Sequence, residues 1–361
     1  MSFIAIVLVL IVATLGMGMV LSAPYRFIKG RQPMAGRCIT GACAAATAGI
    51  AVAAVGVSGA SASGAAAWDL QTVRVTGAGT SLAAASPGAQ RWVARYNDPG
   101  NGTDEARAVA VSPSGKTVFV TGYSECTTCS AAYYDYATVA YNATTGHQQW
   151  VTHYNGSANG DDEATSVAVS PSGKTVFVTG SSEGTAGSYD YATVAYNAAT
   201  GAQRWVKRYS GRVRGLDAAT SAAVSPSGKT VFVTGYSQGS AGSFDYATVA
   251  YKAATGARLW VERSNGPSAG GFGDRAYSVA VSPNGSTVYV TGEWNDDDAY
   301  ATVGYNAATG AQRWVRRYAS PVGGSAAFSV AVSRTAGTVF VTGYSVGDGS
   351  GPDYVTIAYH A

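Results

Sequence analysis

Five tryptophans set the frame of this chain. They stand at 92, 150, 205, 260 and 314, at spacings of 58, 55, 55 and 54 residues, and each falls at the same place in a repeated unit. Val111–Gly122 reads Val-Ser-Pro-Ser-Gly-Lys-Thr-Val-Phe-Val-Thr-Gly. It returns unchanged at 169–180 and 224–235, and with substitutions at 281–292 and 332–343. A second block, Tyr136–Asn142 (Tyr-Ala-Thr-Val-Ala-Tyr-Asn), returns at 191–197, 246–252, 300–306 and 354–360. A unit of this length cannot bury its apolar residues alone, so the copies must stack on one another.

Each unit reads as four short strands. In the second they are Thr165–Ser170, Thr175–Thr179, Tyr191–Tyr196 and Gln203–Tyr209. Alternating β-branched and aromatic residues between turns such as Pro171-Ser-Gly173 carry the strand signal. No window holds the 3.6-residue period of a helix. Four strands per 54–58 residues match a propeller blade. The expectation is an all-β fold: a five-bladed β-propeller of four-stranded antiparallel blades over 90–361. Alanines in the first and third strands let backbones converge toward the axis. The fourth strand, at the outer edge, carries Arg95, Lys207, Arg208, Arg263, Arg316 and Arg317, charges that discourage pairing with other chains.

The first three strands occur five times, ending at Tyr354–His360, but the fourth follows only the first four sets. An orphan fourth strand, Gln90–Tyr96, stands ahead of everything else. Paired with 354–360, this N-terminal strand would complete the last blade and close the ring.

Ahead of the repeat, 1–62 reads as a leader and 63–89 as a flexible Ala/Ser/Gly linker. Phe3–Leu21 is almost wholly apolar; Arg26, Lys29, Arg31 and Arg37 follow, then a second apolar stretch to Val57. In one reading Met34 begins a signal peptide cleaved after Ala60-Ser61-Ala62. In the other both stretches span a membrane, with the basic residues in the cytoplasm. Both put the repeat outside, secreted or at the cell surface, with the membrane met only through the leader. The net charge is +3 and no basic run is interleaved with aromatics, so no nucleic-acid partner is expected. Two of the four cysteines, Cys126 and Cys129, form a lone CxxC with no histidine nearby. It cannot supply four zinc ligands and reads as a short-range disulfide.

The run Ala195–Trp205 (Ala-Tyr-Asn-Ala-Ala-Thr-Gly-Ala-Gln-Arg-Trp) resembles the tryptophan-docking motif of quinoprotein-type, PQQ-like propellers, with Asn142, Asn197, Lys252 and Asn306 at the motif's Asp position. Residues 162–180 are similar to the bacterial extracellular β-propeller repeat. The resemblance covers 90–361 and implies the fold. Quinoprotein dehydrogenases add a vicinal disulfide, a calcium-ligating Glu and a catalytic Asp. No Cys-Cys pair is present, so no cofactor is carried over.

Asp104, Asp162, Asp217 and Asp274 hold one position in four units, just before the first strand; Ser325 takes it in the fifth. Such a ring would admit calcium, or serve a glycan hydrolase with carboxylates at the channel mouth. Repetition favours a structural bond at the turn instead, because a catalytic pair needs two unlike environments. The segments between second and third strands vary and gather Tyr123, Tyr133, Tyr134, Tyr189, Tyr236, Phe244, Trp294 and Tyr344 among acidic residues. Variable loops on a rigid scaffold form a binding face, suited to an extracellular protein or a carbohydrate. Ser-Gly-Lys-Thr at 114–117 lacks the first glycine and the helix of a phosphate-binding loop. His147, His153 and His360 lie in different units without a nucleophile motif. The expectation is a monomeric binding or scaffold module rather than an enzyme, with glycan hydrolysis as the alternative. Protease added to intact cells making the chain should digest the repeat domain; digestion only after lysis would refute the outside location.

Overall fold

In the computed structural model the described residues are 86–126, 133–239, 242–266, 273–294, 299–335, 337–349 and 351–361. The expected leader lies outside them, as does the linker except for 86–89. No helix among the described residues is long and apolar enough to cross a membrane.

Among the described residues nineteen strands form five antiparallel sheets, each ordered as the chain runs. The first blade is β1 (Asp104–Val111), β2 (Thr117–Cys126), β3 (Tyr133–Asn142) and β4 (Gln148–Tyr154). The second is β5 (Asp162–Val169), β6 (Thr175–Glu183), β7 (Tyr189–Asn197) and β8 (Gln203–Tyr209). The third is β9 (Asp217–Val224), β10 (Thr230–Gln238), β11 (Phe244–Lys252) and β12 (Arg258–Ser264). The fourth is β13 (Arg275–Val281), β14 (Thr287–Trp294), β15 (Ala299–Asn306) and β16 (Gln312–Ala319). The fifth has three strands, β17 (Ser325–Val332), β18 (Thr338–Val346) and β19 (Pro352–His360). This is the propeller expected from the repeat.

Second and third strands run further than their sequence suggested. Ser181, Ser182 and Glu183 continue the ladder opposite Tyr191, Asp190 and Tyr189. Polar residues there alternate with aromatics, so the segment pairs although its polarity reads as loop. The expected loop aromatics are therefore ladder ends, held by backbone hydrogen bonds.

Every blade carries a β-bulge in its first strand, opposite the glycine that closes the Val-Thr-Gly block. At Gly180 an added Cβ would overlap the Glu163 carbonyl oxygen, so only glycine permits the approach.

The core lies between blades rather than within them. Phe119 and Trp150 of the first blade pack with Val167, Val176 and Val194 of the second. Each joint is also pinned by polar tips on aromatic bodies. Trp150, Trp205 and Trp260 donate Nε1–H to the carbonyls of Ala198, Ala253 and Ala307 in the next blade, at 3.0, 3.0 and 3.1 Å. The Trp150 ring lies where a Cβ on Gly201 would come within 2.8 Å, and Gly201 holds φ +72°. Tyr136, Tyr191, Tyr246 and Tyr300 donate their hydroxyls to Ala192, Ala247, Ala301 and Val355, again one blade on.

Two of the arginines expected as exposed edge charges are instead structural. Arg208 pairs with Asp190 at 3.0 Å and bonds Ser182; Arg263 pairs with Asp245 at 2.6 Å and bonds Ser237. Their long stems fold along the sheet and bring the guanidinium to the ladder end.

Residues 90–98 form no strand, and the expected pairing with 354–360 is not among the ladders of the described residues. The segment rests on the first blade: Trp92 donates Nε1–H to Ala143 O at 3.0 Å, and Tyr96 Oη lies 2.7 Å from His153 Nε2.

Because the joints carry the core, Trp205→Ala should cost about 3–5 kcal/mol in chemical denaturation. Tyr246→Phe, which keeps the ring and removes one bond, should cost about 1 kcal/mol. Equal losses would refute joint packing as the dominant stabilising term.

Candidate functional site

The repeat is broken most strongly beside the axis. The bulge residue of each first strand has no partner opposite it, and there the chain places Arg107, Thr165, Thr220, Tyr277 and Phe328. Two positions earlier stand Glu105, Glu163, Ala218, Arg275 and Ala326, facing Tyr123, Ser181, Tyr236, Glu293 and Tyr344 on the second strand. First strands of consecutive blades lie against one another, so these positions share one mouth. Bulges re-aim side chains, which is why they recur beside functional sites.

At blades two and three the bulge residue is bland: Thr165 and Thr220 donate to the carbonyls of Ala219 and Ala276 one blade on, at 2.7 and 2.8 Å. Elsewhere it is charged or aromatic. Arg107 pairs with Glu105 at 3.0 Å and lies 5.1 Å from the Tyr123 ring, whose hydroxyl donates to Glu105 at 2.6 Å. Arg275 pairs with Glu293 at 3.3 Å and reaches back over blade three, 5.0 Å from the Phe244 ring and 5.6 Å from Tyr236. Tyr277 donates to the same Glu293 at 2.6 Å, and its ring lies 5.6 Å from Phe328, which lies 5.7 Å from Tyr344.

Burial pushes the Glu163 carboxyl up, opposed by the charge of Arg107 on the neighbouring blade. Burial likewise raises the Tyr236 hydroxyl, opposed by Arg275. Tyr123 is pushed up to about 12 by burial and by its bond to Glu105. Both hydroxyls thus stay protonated, and that of Tyr123 donates to Glu105.

Most of the aromatics expected on the binding face gather here. Tyr123 and Tyr134 meet edge-on at 4.7 Å, Tyr236 and Phe244 at 5.1 Å, and Tyr344 borders Phe328. Tyr133 begins β3 opposite Cys126, and Tyr189 bridges to Leu216. Trp294 is a correction: it is buried, 5% exposed, against Tyr246. Its neighbour shows why. Where the second blade has Ser182 opposite Asp190 with Arg208 across both, the fourth has Trp294 opposite Ala299 with Arg317 lying 5.7 Å from the indole ring. A cation–π contact lies at the position where the second and third blades carry their Asp–Arg pairs. The sequence reading missed the bulge residues, because a bulge leaves no mark on hydrophobic alternation. Their one visible signal was variation inside an otherwise constant strand.

The Asp ring holds loops. Asp104, Asp162, Asp217 and Asp274 accept the backbone N–H of Asp98, Gly156, Gly211 and Gly266 at 3.1, 2.5, 2.6 and 2.5 Å. Ser325 does the same for Ser320 N at 3.3 Å. The bond spans the whole loop into the blade rather than one turn. No group of three or more His, Cys, Asp or Glu able to hold a metal ion occurs among the described residues. Cys126 is disulfide-bonded; Cys129, its expected partner, lies outside the described residues.

A family model described as "Outer membrane protein assembly factor BamB" matches residues 42–248 and 187–355. No curated protein matches. Among solved structures, the Cps50 (Swd1) β-propeller domain of Myceliophteria thermophila aligns at 8% identity with a TM-score of 0.41, over 72% of this chain and 75% of that one.

The first blade departs from its neighbours near the mouth. His153 stands where Arg208 and Arg263 stand, and it turns to Tyr96 instead of reaching Asp135. Burial, with the charges of Asp162 and Asp98, pushes Asp135 up to about 6 from its ordinary 3.8. The folded chain therefore binds more protons than the unfolded chain between those values, and stability falls as pH rises through them. Asp135→Asn should stabilise the protein at pH 7, by about 1 kcal/mol or less for so solvated a group, and the gain should vanish near pH 4. A gain of equal size at both pH values would refute the assignment.

Proposed function

The chain belongs to the family of the outer membrane protein assembly factor BamB, and from that premise we propose that it is a binding or scaffold module acting outside the cytoplasm, with its ligand at the axial mouth. The family's description, which names the outer membrane, and an apolar leader ahead of the repeat both support export.

One observation carries the choice of site. Everything that builds blades and joints is repeated, whereas the charged and aromatic side chains around the bulges are not. A structural role calls for the same residue in every blade; a recognition surface calls for difference. The mouth supplies aromatic walls at Tyr123, Tyr236 and Phe328 and two arginines already paired with their own glutamates. Of its glutamates, Glu163 has no side-chain hydrogen bond among the described residues, and the charge of Arg107 on the neighbouring blade reaches it without a close pair. A carboxylate left open among aromatic rings suits a basic side chain of a partner polypeptide.

The alternative, glycan hydrolysis, drew its carboxylates from the Asp ring, and those hold loop amides. A hydrolase would have to use Glu105 and Glu163 instead. Peptide and glycan arrays probed with the purified protein test both readings. The expected result is capture of basic peptides, weakened about tenfold by Glu163→Gln through a lost charge-assisted bond and also by Tyr236→Ala. Asp162→Asn should lower stability by about 1 kcal/mol and leave capture intact. Glycan cleavage abolished by Glu163→Gln would replace binding by catalysis, and capture unaffected by both mouth variants would move the site elsewhere.

A further inference from the structure

The end of the propeller opposite the mouth is built from short turns, and their charges have one sign. The turn from first to second strand and the turn from third to fourth lie side by side there. Ala143 N donates to Lys116 O at 2.9 Å, Ala198 N to Lys174 O at 3.1 Å, Ala253 N to Lys229 O at 2.9 Å and Ala307 N to Ser286 O at 3.0 Å. Consecutive blades meet at this end as well. A Cβ on Gly173 would lie 3.5 Å from Pro113 Cδ, and one on Gly228 equally near Pro171 Cδ. The turns keep one length from blade to blade, so no loop stands out from the surface they make.

Lys116, Lys174 and Lys229 are exposed in the first of these turns, and Lys252 and Arg258 are exposed on either side of the second turn of the third blade. Arg204 donates to Lys174 O at 3.1 Å and Arg313 to Thr287 Oγ1 at 2.9 Å, which holds their exposed guanidinium groups over the turns. Neither turn contains an Asp or Glu in any blade. Glu262 stands at the rim, beside Gly310. The fold does not ask for these charges. Ser286 takes the lysine's place in the fourth blade, and the backbone bond from Ala307 N is kept. A cationic side chain repeated where the turn does not need it adds to one field over the whole end.

The chain also enters the propeller here. Trp92 sits against Gly146 and donates to Ala143 O, both in the third-to-fourth turn of the first blade. Arg91, exposed, comes just before it. The residues ahead of 90 therefore reach the propeller at its cationic end. In the membrane-spanning reading of the leader, this is the end held toward the bilayer. No Phe, Tyr or Trp lies in these turns, so nucleic-acid bases have nothing to stack on.

We propose that this end lies against a membrane surface bearing anionic phosphate headgroups, with the mouth turned away from it. Each basic residue brought to such a surface strengthens contact roughly fivefold, and salt screens the attraction beyond about 10 Å. The contact uses none of the residues at the mouth and does not depend on what the mouth binds.

The test is lysine footprinting of the full-length chain reconstituted in vesicles of phosphatidylcholine, alone or with phosphatidylglycerol. Lys174 and Lys229 should react more slowly with an amine reagent on the phosphatidylglycerol vesicles and recover at high salt. Arg214→Lys places a reporter in the loop from β8 to β9, at the mouth end, and should react equally on both. Lys252→Gln with Arg258→Gln should lower the ratio of covered to open Lys174 roughly thirtyfold. Arg212→Gln with Arg214→Gln removes the same charge from the mouth end and should leave that ratio unchanged. Equal reactivity of Lys174 and Lys229 on the two kinds of vesicle would overturn the proposal, and so would equal slowing of the mouth-end reporter. Protection by heparin fragments and none by vesicles would put a soluble polyanion in place of the membrane and overturn it too. The wild-type footprint decides the matter even where a variant folds poorly.

Discussion

The joint between blades is the interaction on which the rest depends. A four-stranded sheet has two faces and no means of covering either by itself, so each blade is stable only as far as its neighbours cover it. Apolar packing supplies the driving force, and the hydrogen bonds from indole and phenol tips fix the offset between sheets, because an unpaired buried N–H or O–H is expensive. The constancy of Trp, Tyr and Phe in the repeat is thus a property of neighbours. Each residue is conserved within the chain for the blade beside its own.

Fold and blade count were legible because joint residues repeat and their spacing survives in sequence. What the sequence hid was short-range and polar. Strand ends at Ser181–Glu183 looked like loop because a ladder closing into solvent carries polar side chains. Arg208 and Arg263 looked like edge charges because their position on the outer strand is visible and the fold of their stems is not. Trp294 looked like a binding aromatic because its burial depends on Ala299, which gives up the carboxylate that its counterparts Asp190 and Asp245 supply. The Asp ring was read as local turn chemistry; its bonds instead cross six or eight residues of loop.

The candidate site follows from one irregularity in an otherwise regular sheet. A bulge of the first strand is tolerated because a glycine stands opposite it in every blade. The price is a lost ladder position, and the return is a side chain released from the alternation that governs its neighbours. Arg107 and Arg275 hold their carboxylates while lying on rings of their own or the preceding blade, so the charges at the mouth are fixed in direction rather than spread through solvent.

The unpaired bulge position has one more implication. It takes no part in the cross-strand pairing that specifies a blade, so a replacement there leaves the register of the blade intact. Five such positions surround one axis, each reachable by a single substitution, with only Tyr277 and Phe328 among them in ring contact with one another. Such a surface can be rewritten one letter at a time, and a lineage of these chains could exchange one ligand for another without passing through an unfolded ancestor.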